Sequence, residues 1–281
     1  MTKAATKKRK RKKSRGIVRR SSKAIFAFFY GMPIIWIVLT SFKQEADVFS
    51  TQSSLFFSPT LSTYKKLLTS ALFESLTNSI IIATCATALT LLVSIPAGYA
   101  LARFSNKTLA IGLTALIIFQ MIPQTATIIP LFQIFNKLGM LDTLPSVILA
   151  DAALLTPFAI LLMRPFFRSI PFALVEASQI DGASSWQSFT RISLPLARNG
   201  IATTATLIWI ISWGEFLYAV NLILSPGSYP MSAILAQQVG GFGIFWPGLM
   251  ALSVLASLPV AILFIFTYRL LREGLTLGAV K

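Results

Sequence analysis

Long apolar segments separated by short polar ones dominate this chain. A stretch of about 18 or more residues with few charges predicts a membrane-spanning helix. Pro123 and Pro130 lie in the third of these segments, and a proline inside a membrane helix favours a kink. The pattern predicts an all-α polytopic membrane protein with six transmembrane helices, at 24–42, within 75–102, within 108–136, and at about 144–163, 200–223 and 247–268.

Composition supports this class and excludes several kinds of chemistry. Hydrophobic residues make up 55% of the chain and charged residues 12%, against roughly 25% charged in a soluble domain. The chain has no His and one cysteine, Cys85, which argues against zinc sites and Ser-His triads and leaves no intrachain disulfide. It also lacks a phosphate-binding loop, a metal site, a cofactor motif and a nucleophile constellation. We therefore expect no enzyme and no cofactor, and any ATP must be hydrolysed by another subunit.

The positive charge is concentrated at the N-terminus. The net charge is +16, and residues 1–23 contain 12 of the 25 Lys and Arg and no acid. Such a run can bind nucleic acid, but membrane spans follow at once. We therefore expect no nucleic-acid partner, and interpret 1–23 as a disordered cytoplasmic tail that fixes topology and contacts anionic lipid. With six spans, 21 positive residues fall inside and 4 outside, so both termini are predicted to be cytoplasmic.

An amphipathic insert at 164–198 separates the fourth and fifth segments. Gly182 suits the left-handed turn that ends a helix, and Ser184 with Gln187 matches a capping box for a second helix. The insert is thus predicted to be a cytoplasmic helix–turn–helix with an exposed apolar ridge. An amphipathic helix resting on lipid is the alternative. The apolar positions at helical spacing are Leu174, Ala177 and Ile180 in the first helix, and Trp186, Phe189 and Ile192 in the second.

The insert also carries a recognisable pattern. It contains Glu176-Ala177-Ser178, then Gly182, then Ile192 and Leu194-Pro195. This resembles the cytoplasmic loop of ABC-importer permeases, with its Glu-Ala-Ala, Gly and Ile-x-Leu-Pro elements, except that Ser178 stands in place of the second Ala. Further stretches resemble the maltose-type carbohydrate permeases, and the match runs in order from Ala24 onward. These stretches are Thr40–Lys43, Asn78-Ser79, Trp213–Phe216 and Gly274–Lys281.

The resemblance implies one permease subunit of an ATP-driven, binding-protein-dependent importer in the cell membrane, for a sugar or polyol. Residues 24–281 would form its transmembrane domain. It implies four kinds of partner besides lipid: a homologous permease, two ATP-binding cassette ATPase subunits, an extracytoplasmic solute-binding protein and the solute. The outer loop at 225–246 would contact the binding protein. The insert would couple to the ATPase through Glu176, Ala177, Ser178, Asp181, Gly182, Ala183, Ile192, Leu194 and Pro195.

Two acids, Asp151 and Glu215, fall inside predicted spans. Charged residues at membrane depth are costly, and they usually face a cavity or a partner. They are therefore candidates for a solute path, although each could instead lie near the outer interface or accept a local hydrogen bond. Gly214 stands where the family more often has Asn beside that glutamate. Further candidates for polar or stacking contact with a sugar are Asn78, Gln120, Gln124 and Trp213.

Two other functions remain open at this stage. An ABC permease for amino acids or peptides would share the insert, although the Thr40–Lys43 and C-terminal motifs favour carbohydrate. A secondary transporter or channel acting without ATP would show paired intramembrane charges or inverted halves, and neither is evident.

Overall fold

The computed structural model describes residues 3–50, 56–103, 107–240 and 243–277. In these ranges the regular secondary structure is helical apart from one two-stranded antiparallel ribbon, in which Val239 pairs with Ile244 and Gly240 with Gly243. The strands are β1 (Val239–Gly240) and β2 (Gly243–Ile244). The helices are α1 (Lys3–Ser41), α2 (Glu45–Val48), α3 (Ser62–Leu67), α4 (Ser70–Arg103), α5 (Lys107–Gln120), α6 (Gln124–Lys137), α7 (Leu144–Arg168), α8 (Phe172–Ile180), α9 (Ser185–Ser188), α10 (Leu194–Leu196), α11 (Arg198–Trp213), α12 (Leu217–Leu222), α13 (Met231–Gln237) and α14 (Trp246–Leu277).

The first of two compact units comprises residues 1–67 and 238–255. The motif Thr40–Lys43 lies at the end of its long helix α1. The Ser41 hydroxyl is 2.8 Å from that of Tyr64, and the buried Lys43 ammonium lies 5.1 Å from the centre of the Trp36 ring and 5.2 Å from that of Phe57. The motif is therefore a packing and hydrogen-bonding site within this unit.

Helix α1 includes most of the basic N-terminal segment. It begins at Lys3, so the basic segment expected to be disordered is helical from that residue. Lys and Arg are good helix formers, and the first proline inside the helix is Pro33. The helix of the first span, Ser21–Ser41, therefore continues back into the basic segment.

The second unit comprises residues 68–237 and 256–281, and its centre is the packing of α4, α7 and α11. Small residues allow the backbones to approach closely, as is common between membrane helices. A Cβ placed on Gly98 would lie 2.6 Å from the Cβ of Met163, and one on Gly200 would lie 2.3 Å from the ring of Phe166. The fully buried residues Ala159 and Ile208 pack in the same region.

Four helices of the described residues are long and apolar enough to cross a membrane, and six spans result if each of two bent helix pairs counts as one. The predicted six thus corresponds to the upper count. The first pair is Ile111–Gln120 with Gln124–Lys137, bent by 94°, and the second is Ser185–Leu196 with Arg198–Trp213, bent by 72°.

Two predicted spans are interrupted: the third at Pro123, where a proline kink was predicted, and the fifth, where the sequence pattern appeared continuous. The third breaks before Pro123, because a residue preceding proline disfavours helical backbone. The fifth was predicted to run from Gly200 to Ile223, but α11 ends at Trp213 and α12 begins at Leu217. Glu215 therefore lies in a break between two helices and not within one.

Candidate functional site

The loop at 164–198 is a helix–turn–helix, as predicted. Gly182 has a φ of 87°, the left-handed conformation that favours glycine. The N–H of Ala183 donates to the carbonyl of Ser178 (2.9 Å), and that of Gly182 donates to the carbonyl of Gln179 (3.1 Å). These two bonds form a Schellman motif, so α8 ends at a defined turn.

The second helix begins with the predicted capping box. The N–H of Ser184 donates to Gln187 Oε1 (2.8 Å), and the N–H of Gln187 donates to Ser184 Oγ (3.2 Å). The helix is not uniform, because a π-helical segment, Phe189–Ser193, separates α9 from α10. Its predicted single apolar face is also divided, since Phe189 is buried 4.8 Å from Tyr99 between ring centres, while Trp186 is 68% exposed.

A buried pair of hydroxyls connects the two helices of the loop. Ser178 Oγ donates to the carbonyl of Val175 (2.7 Å) and lies 2.7 Å from Ser188 Oγ. Since the Ser178 hydrogen points to Val175, Ser188 is the donor between the two serines. Ser178, at the third position of the Glu-Ala-Ser pattern, therefore connects the two helices through its hydroxyl, in addition to being small enough for close contact.

The outer face of α8 and α9 combines apolar side chains with acids. Phe172 is 53% exposed, Leu174 47%, Ile180 86% and Trp186 68%. Exposed apolar surface of this kind marks an interaction site. The predicted coupling residues fall into three groups: exposed Glu176, Ala177, Asp181, Gly182 and Pro195; half-buried Ala183, Ile192 and Leu194; and buried Ser178.

A cavity of about 270 Å³ lies in the second unit, at the breaks in the third and fifth predicted spans. It brings together three of the predicted solute-path residues, Gln124, Asp151 and Glu215, with Ser212. The remaining lining is apolar or backbone, from Leu154, Leu155, Ile211, Gly214, Phe216 and Leu217.

Glu215 uses both carboxylate oxygens within the protein. Oε1 accepts from Gln124 Nε2 (2.7 Å) and from the N–H of Tyr218 (2.8 Å), and Oε2 accepts from the N–H of Ala219 (3.1 Å). Two of these donors are amides in the first turn of α12, which have no intrahelical acceptor. Glu215 thus caps the first turn of α12. The sequence allowed such local hydrogen bonding as the alternative to a role in the solute path.

Asp151 is different, because only one of its oxygens has a partner. The side chain is fully buried on α7, and Oδ2 accepts from Ser212 Oγ (2.5 Å). Among the described residues, no donor reaches Oδ1. Sequence reasoning missed Ser212; the one available signal was a polar residue three positions before Glu215 in an apolar segment.

The other three candidates make separate contacts. Asn78 Nδ2 donates to the carbonyls of Gly227 (3.1 Å) and Tyr229 (3.4 Å). Gln120 Nε2 reaches the Leu154 carbonyl at 3.4 Å. The indole of Trp213 donates to the Ala256 carbonyl at 3.1 Å. None of the three lines the 270 Å³ cavity, so the structure does not group them with Asp151.

Asp142, which the sequence did not single out, anchors the segment after α12. It adopts a positive φ of 61°, and its Oδ1 accepts from the N–H groups of Leu224 (2.8 Å) and Ser225 (2.7 Å). Its Oδ2 accepts from the Ser225 hydroxyl. The Ser225 hydroxyl and these amides lower the pKa of Asp142, because they stabilise the ionised carboxylate.

Comparison with known proteins finds similar proteins that cover most of the chain. Residues 94–276 match the family described as "Binding-protein-dependent transport system inner membrane component". The "Probable ABC transporter permease protein y4oR" of Sinorhizobium fredii is 35% identical over 92% of this chain and 92% of its own. The "Sulfoquinovosyl glycerol transport system permease protein SmoH" of Agrobacterium fabrum is 34% identical over 89% and 88%. A chain of a bacterial ABC transporter that imports the acidic polysaccharide alginate has the same fold, with a TM-score of 0.77, 24% identity and coverage of 92% and 96%.

Proposed function

This chain belongs to the family of inner-membrane components of binding-protein-dependent transport systems, and from that premise we propose that it carries a sugar or polyol and couples to its ATPase through the 164–198 loop. It is a multi-pass ABC-importer permease and not an enzyme. The name of the Agrobacterium fabrum relative, a permease for sulfoquinovosyl glycerol, supports the solute class. The partners proposed are a second permease, two ATPase subunits and a solute-binding protein.

The exposed face of α8 and α9 carries the coupling proposal. Ile180 offers apolar contact, and Glu176, one helical turn earlier on the same side of α8, offers a carboxylate beside it. The turn at Gly182 and the capping box fix this face without help from a partner. A preformed surface loses less conformational entropy on docking than a flexible segment. In the proposed cycle, closure of the ATPase pair moves this surface, and the spans change between inward-facing and outward-facing states.

The test is a charge reversal on this face. We expect Glu176→Lys to insert normally but to lose ATPase co-purification and uptake, because the lysine places the wrong charge at the docking surface. Glu74→Lys, the same change on an exposed residue of α4, is the matched control and should retain both. Normal uptake and normal ATPase retention in Glu176→Lys would mean that the loop rests on lipid instead.

The outer loop at 225–246 is proposed to contact the binding protein. Two side chains hold the first part of this loop. Asp142 accepts from the N–H groups of Leu224 and Ser225, and Asn78 donates to the carbonyls of Gly227 and Tyr229. Residues 241–242 lie outside the described part of the chain. Deleting 240–243 should weaken uptake without affecting ATPase assembly, and photocrosslinkers placed in the loop should reach the binding protein. Crosslinks that never reach a binding protein would contradict this assignment.

A further inference from the structure

Helix α4 contacts the 164–198 loop although the chain does not join the two directly. The ring of Tyr99, near the end of α4, lies 4.8 Å from the ring of Phe189 between centres. Arg103 Nη1, at the last residue of the helix, donates to the carbonyl of Ile170 (3.3 Å). The end of α4 is therefore held by two separate parts of the loop.

Aromatic contacts extend from this point to the proposed docking face. The ring centre of Trp186, a residue 68% exposed, lies 5.4 Å from that of the buried Phe189. The Ser178–Ser188 pair fixes α9 against α8 immediately before Phe189. Close-packed side chains transmit a displacement to their neighbours because they have little room to absorb it. A movement of the docking face therefore reaches Tyr99 through rings that are in contact.

The other half of α4 holds the segment after α12. Asn78 Nδ2 donates to the carbonyls of Gly227 (3.1 Å) and Tyr229 (3.4 Å). Ser79 Oγ accepts from the N–H of Met231 (2.8 Å). The Asn78-Ser79 stretch thus binds three backbone groups in the part of the chain that the predicted topology places outside.

A single helix joins these two sets of contacts. Helix α4 has 34 residues, and although Pro96 removes one backbone hydrogen bond, the helix continues through it. At the helical rise of about 1.5 Å per residue, Asn78 and Tyr99 lie about 30 Å apart along its axis. The chain also leads from the loop to the outer segment through α11 and α12, but that path is interrupted between Trp213 and Leu217.

We propose that α4 links the 164–198 loop mechanically to residues 227–231, so that the nucleotide state of the ATPase changes the outer segment. Because coupling between two sites is reciprocal, binding at the outer segment acts on the loop by the same path. Tyr99 and Phe189 are the positioning residues at one end of this link, and Asn78 is the positioning residue at the other. The inference rests on the proposed function, because it takes the loop to dock on the ATPase.

Helix α7 is the competing path. It leads directly into the loop, and Asp142, just before its start, accepts from the N–H groups of Leu224 and Ser225. The two paths end at different places, since Asp142 holds residues 224 and 225 while α4 holds residues 227 to 231. Exchange at separate amides therefore distinguishes them.

The experiment follows amide hydrogen exchange of residues 226–234 in the assembled permease–ATPase complex in nanodiscs. The probe is ATP with vanadate, a phosphate analogue that traps ADP on the ATPase. In the unmodified complex we expect trapping to change this exchange about fivefold or more, the lower end of ordinary coupling between sites. ATPase retention and trapped nucleotide are measured in every sample, so that loss of docking is not mistaken for loss of transmission.

Variants locate the link. Tyr99→Leu and Phe189→Leu should each retain the ATPase and trap nucleotide but lose most of the response at 226–234, about 30 Å from the change along α4. Tyr99→Phe keeps the ring and should keep the response. Tyr30→Leu, the same change at an exposed residue of α1, is the matched control and should also respond normally.

Two further variants test the outer end. Asn78→Leu removes the donor to Gly227 and Tyr229, so it should lose the response as the Tyr99 variant does. Asp142→Asn should keep it if α4 is the link. If Tyr99→Leu does not assemble, Phe189→Leu and Asn78→Leu still test the two ends separately.

Three outcomes would overturn the inference: no response at 226–234 in an unmodified complex that traps nucleotide, a response that persists in Tyr99→Leu and Phe189→Leu, or a response lost in Asp142→Asn and kept in Asn78→Leu. Each can occur while Glu176→Lys still loses the ATPase, in which case the proposed coupling function stands and only this inference fails. Normal uptake and ATPase retention in Glu176→Lys would instead remove the proposed function on which the link depends.

Discussion

The hydroxyl oxygens of Ser178 and Ser188 lie 2.7 Å apart, and both side chains are buried between α8 and α9. This contact joins the two helices of the 164–198 loop across the turn at Gly182. It adds a side-chain connection to the backbone bonds of the turn, so the angle between the helices is set in two independent ways. A docking surface built on both helices depends on that angle.

The serine pair predicts a specific pattern of substitutions. Ser178→Ala removes the acceptor and leaves the buried Ser188 donor unpaired, which should cost about 1–3 kcal/mol of loop stability. The double variant Ser178→Ala/Ser188→Ala should cost less than the sum of the single changes, because it leaves no unpaired donor. Amide hydrogen exchange of the loop in the reconstituted transporter measures both. Ser185→Ala, an exposed position in α9, is the control, and additive single effects would contradict the pairing.

Gly182 leads to a second prediction, based on backbone conformation alone. Its φ is 87°, and a Cβ built there finds no atom within 4 Å. Gly182→Ala should therefore already produce most of the effect of Gly182→Val, since the left-handed backbone costs roughly 1–2 kcal/mol whatever space is available. Both variants should insert normally and reduce uptake, while Gly182→Asn should be milder.

The control for this prediction is Gly31→Val in α1. A Cβ added at Gly31 also meets no atom within 4 Å, and Gly31 has no positive φ, so this variant should retain uptake. Much lower uptake in Gly182→Val than in Gly182→Ala would mean that collision with a neighbour, and not backbone strain, decides the outcome.

Local chemistry explains which features of the loop the sequence revealed. The turn at Gly182 and the capping box of Ser184 and Gln187 are formed by residues within a few positions of each other. Such motifs need no tertiary context, so their spacing predicts them. The Ser178–Ser188 contact depends on how α8 and α9 meet, and hydrophobic periodicity carries no information about it.

The break in the fifth span was harder to foresee, because it depends on contacts between distant parts of the chain. The segment from Gly200 to Ile223 is hydrophobic throughout apart from Glu215 and a few small polar residues. The sequence therefore predicts one helix with an acid inside it. The structure ends α11 at Trp213 and restarts the helix on the Glu215 carboxylate. The roles of the two acids were likewise not separable from sequence, because the difference lies in which donors reach Asp151 and Glu215 in space.

Close packing in the second unit gives a third prediction. Gly98→Ala and Gly200→Ala would place a Cβ 2.6 Å from Met163 and 2.3 Å from Phe166. Overpacking of this kind typically costs about 1–3 kcal/mol. We expect lower thermal stability of the purified complex for both. Gly112→Ala, a helical glycine with no atom within 4 Å of the added Cβ, should behave as the unmodified protein, and equal stability of all three variants would contradict the close approach of these helices.

The Asp142 contacts predict a pH dependence in the segment after α12. Hydrogen bonds from Ser225 and Leu224 lower the pKa of Asp142, so the contribution of this carboxylate is present above its ordinary pKa and is lost as the pH falls through its lowered value. At neutral pH the amides of Leu224 and Ser225 should exchange more slowly than in Asp142→Asn.

The comparison with Asp142→Asn is made at each pH, because intrinsic exchange rates also vary with pH. The difference between the two proteins should disappear once the pH falls below the lowered pKa of Asp142. Glu45→Gln, a change at an exposed acid in α2, serves as the control. A difference that stays constant down to the lowest pH would show that charge on Asp142 does not hold this segment.

The last prediction concerns the orientation of the chain in the membrane. Of its 25 Lys and Arg, 21 would lie inside and 4 outside if both termini are cytoplasmic, as the positive-inside rule requires. Position 228, in the segment held by Asn78, should then face outward, and position 185, at the exposed start of α9, should face the cytoplasm. In a Cys85→Ala background, an impermeant maleimide added to intact cells should label Ser228→Cys and spare Ser185→Cys. Permeabilised cells should label Ser185→Cys as well, which shows that its thiol is reactive and that only the membrane protected it. Labelling of Ser185→Cys and protection of Ser228→Cys in intact cells would reverse the topology, and the 164–198 loop could then no longer reach an ATPase.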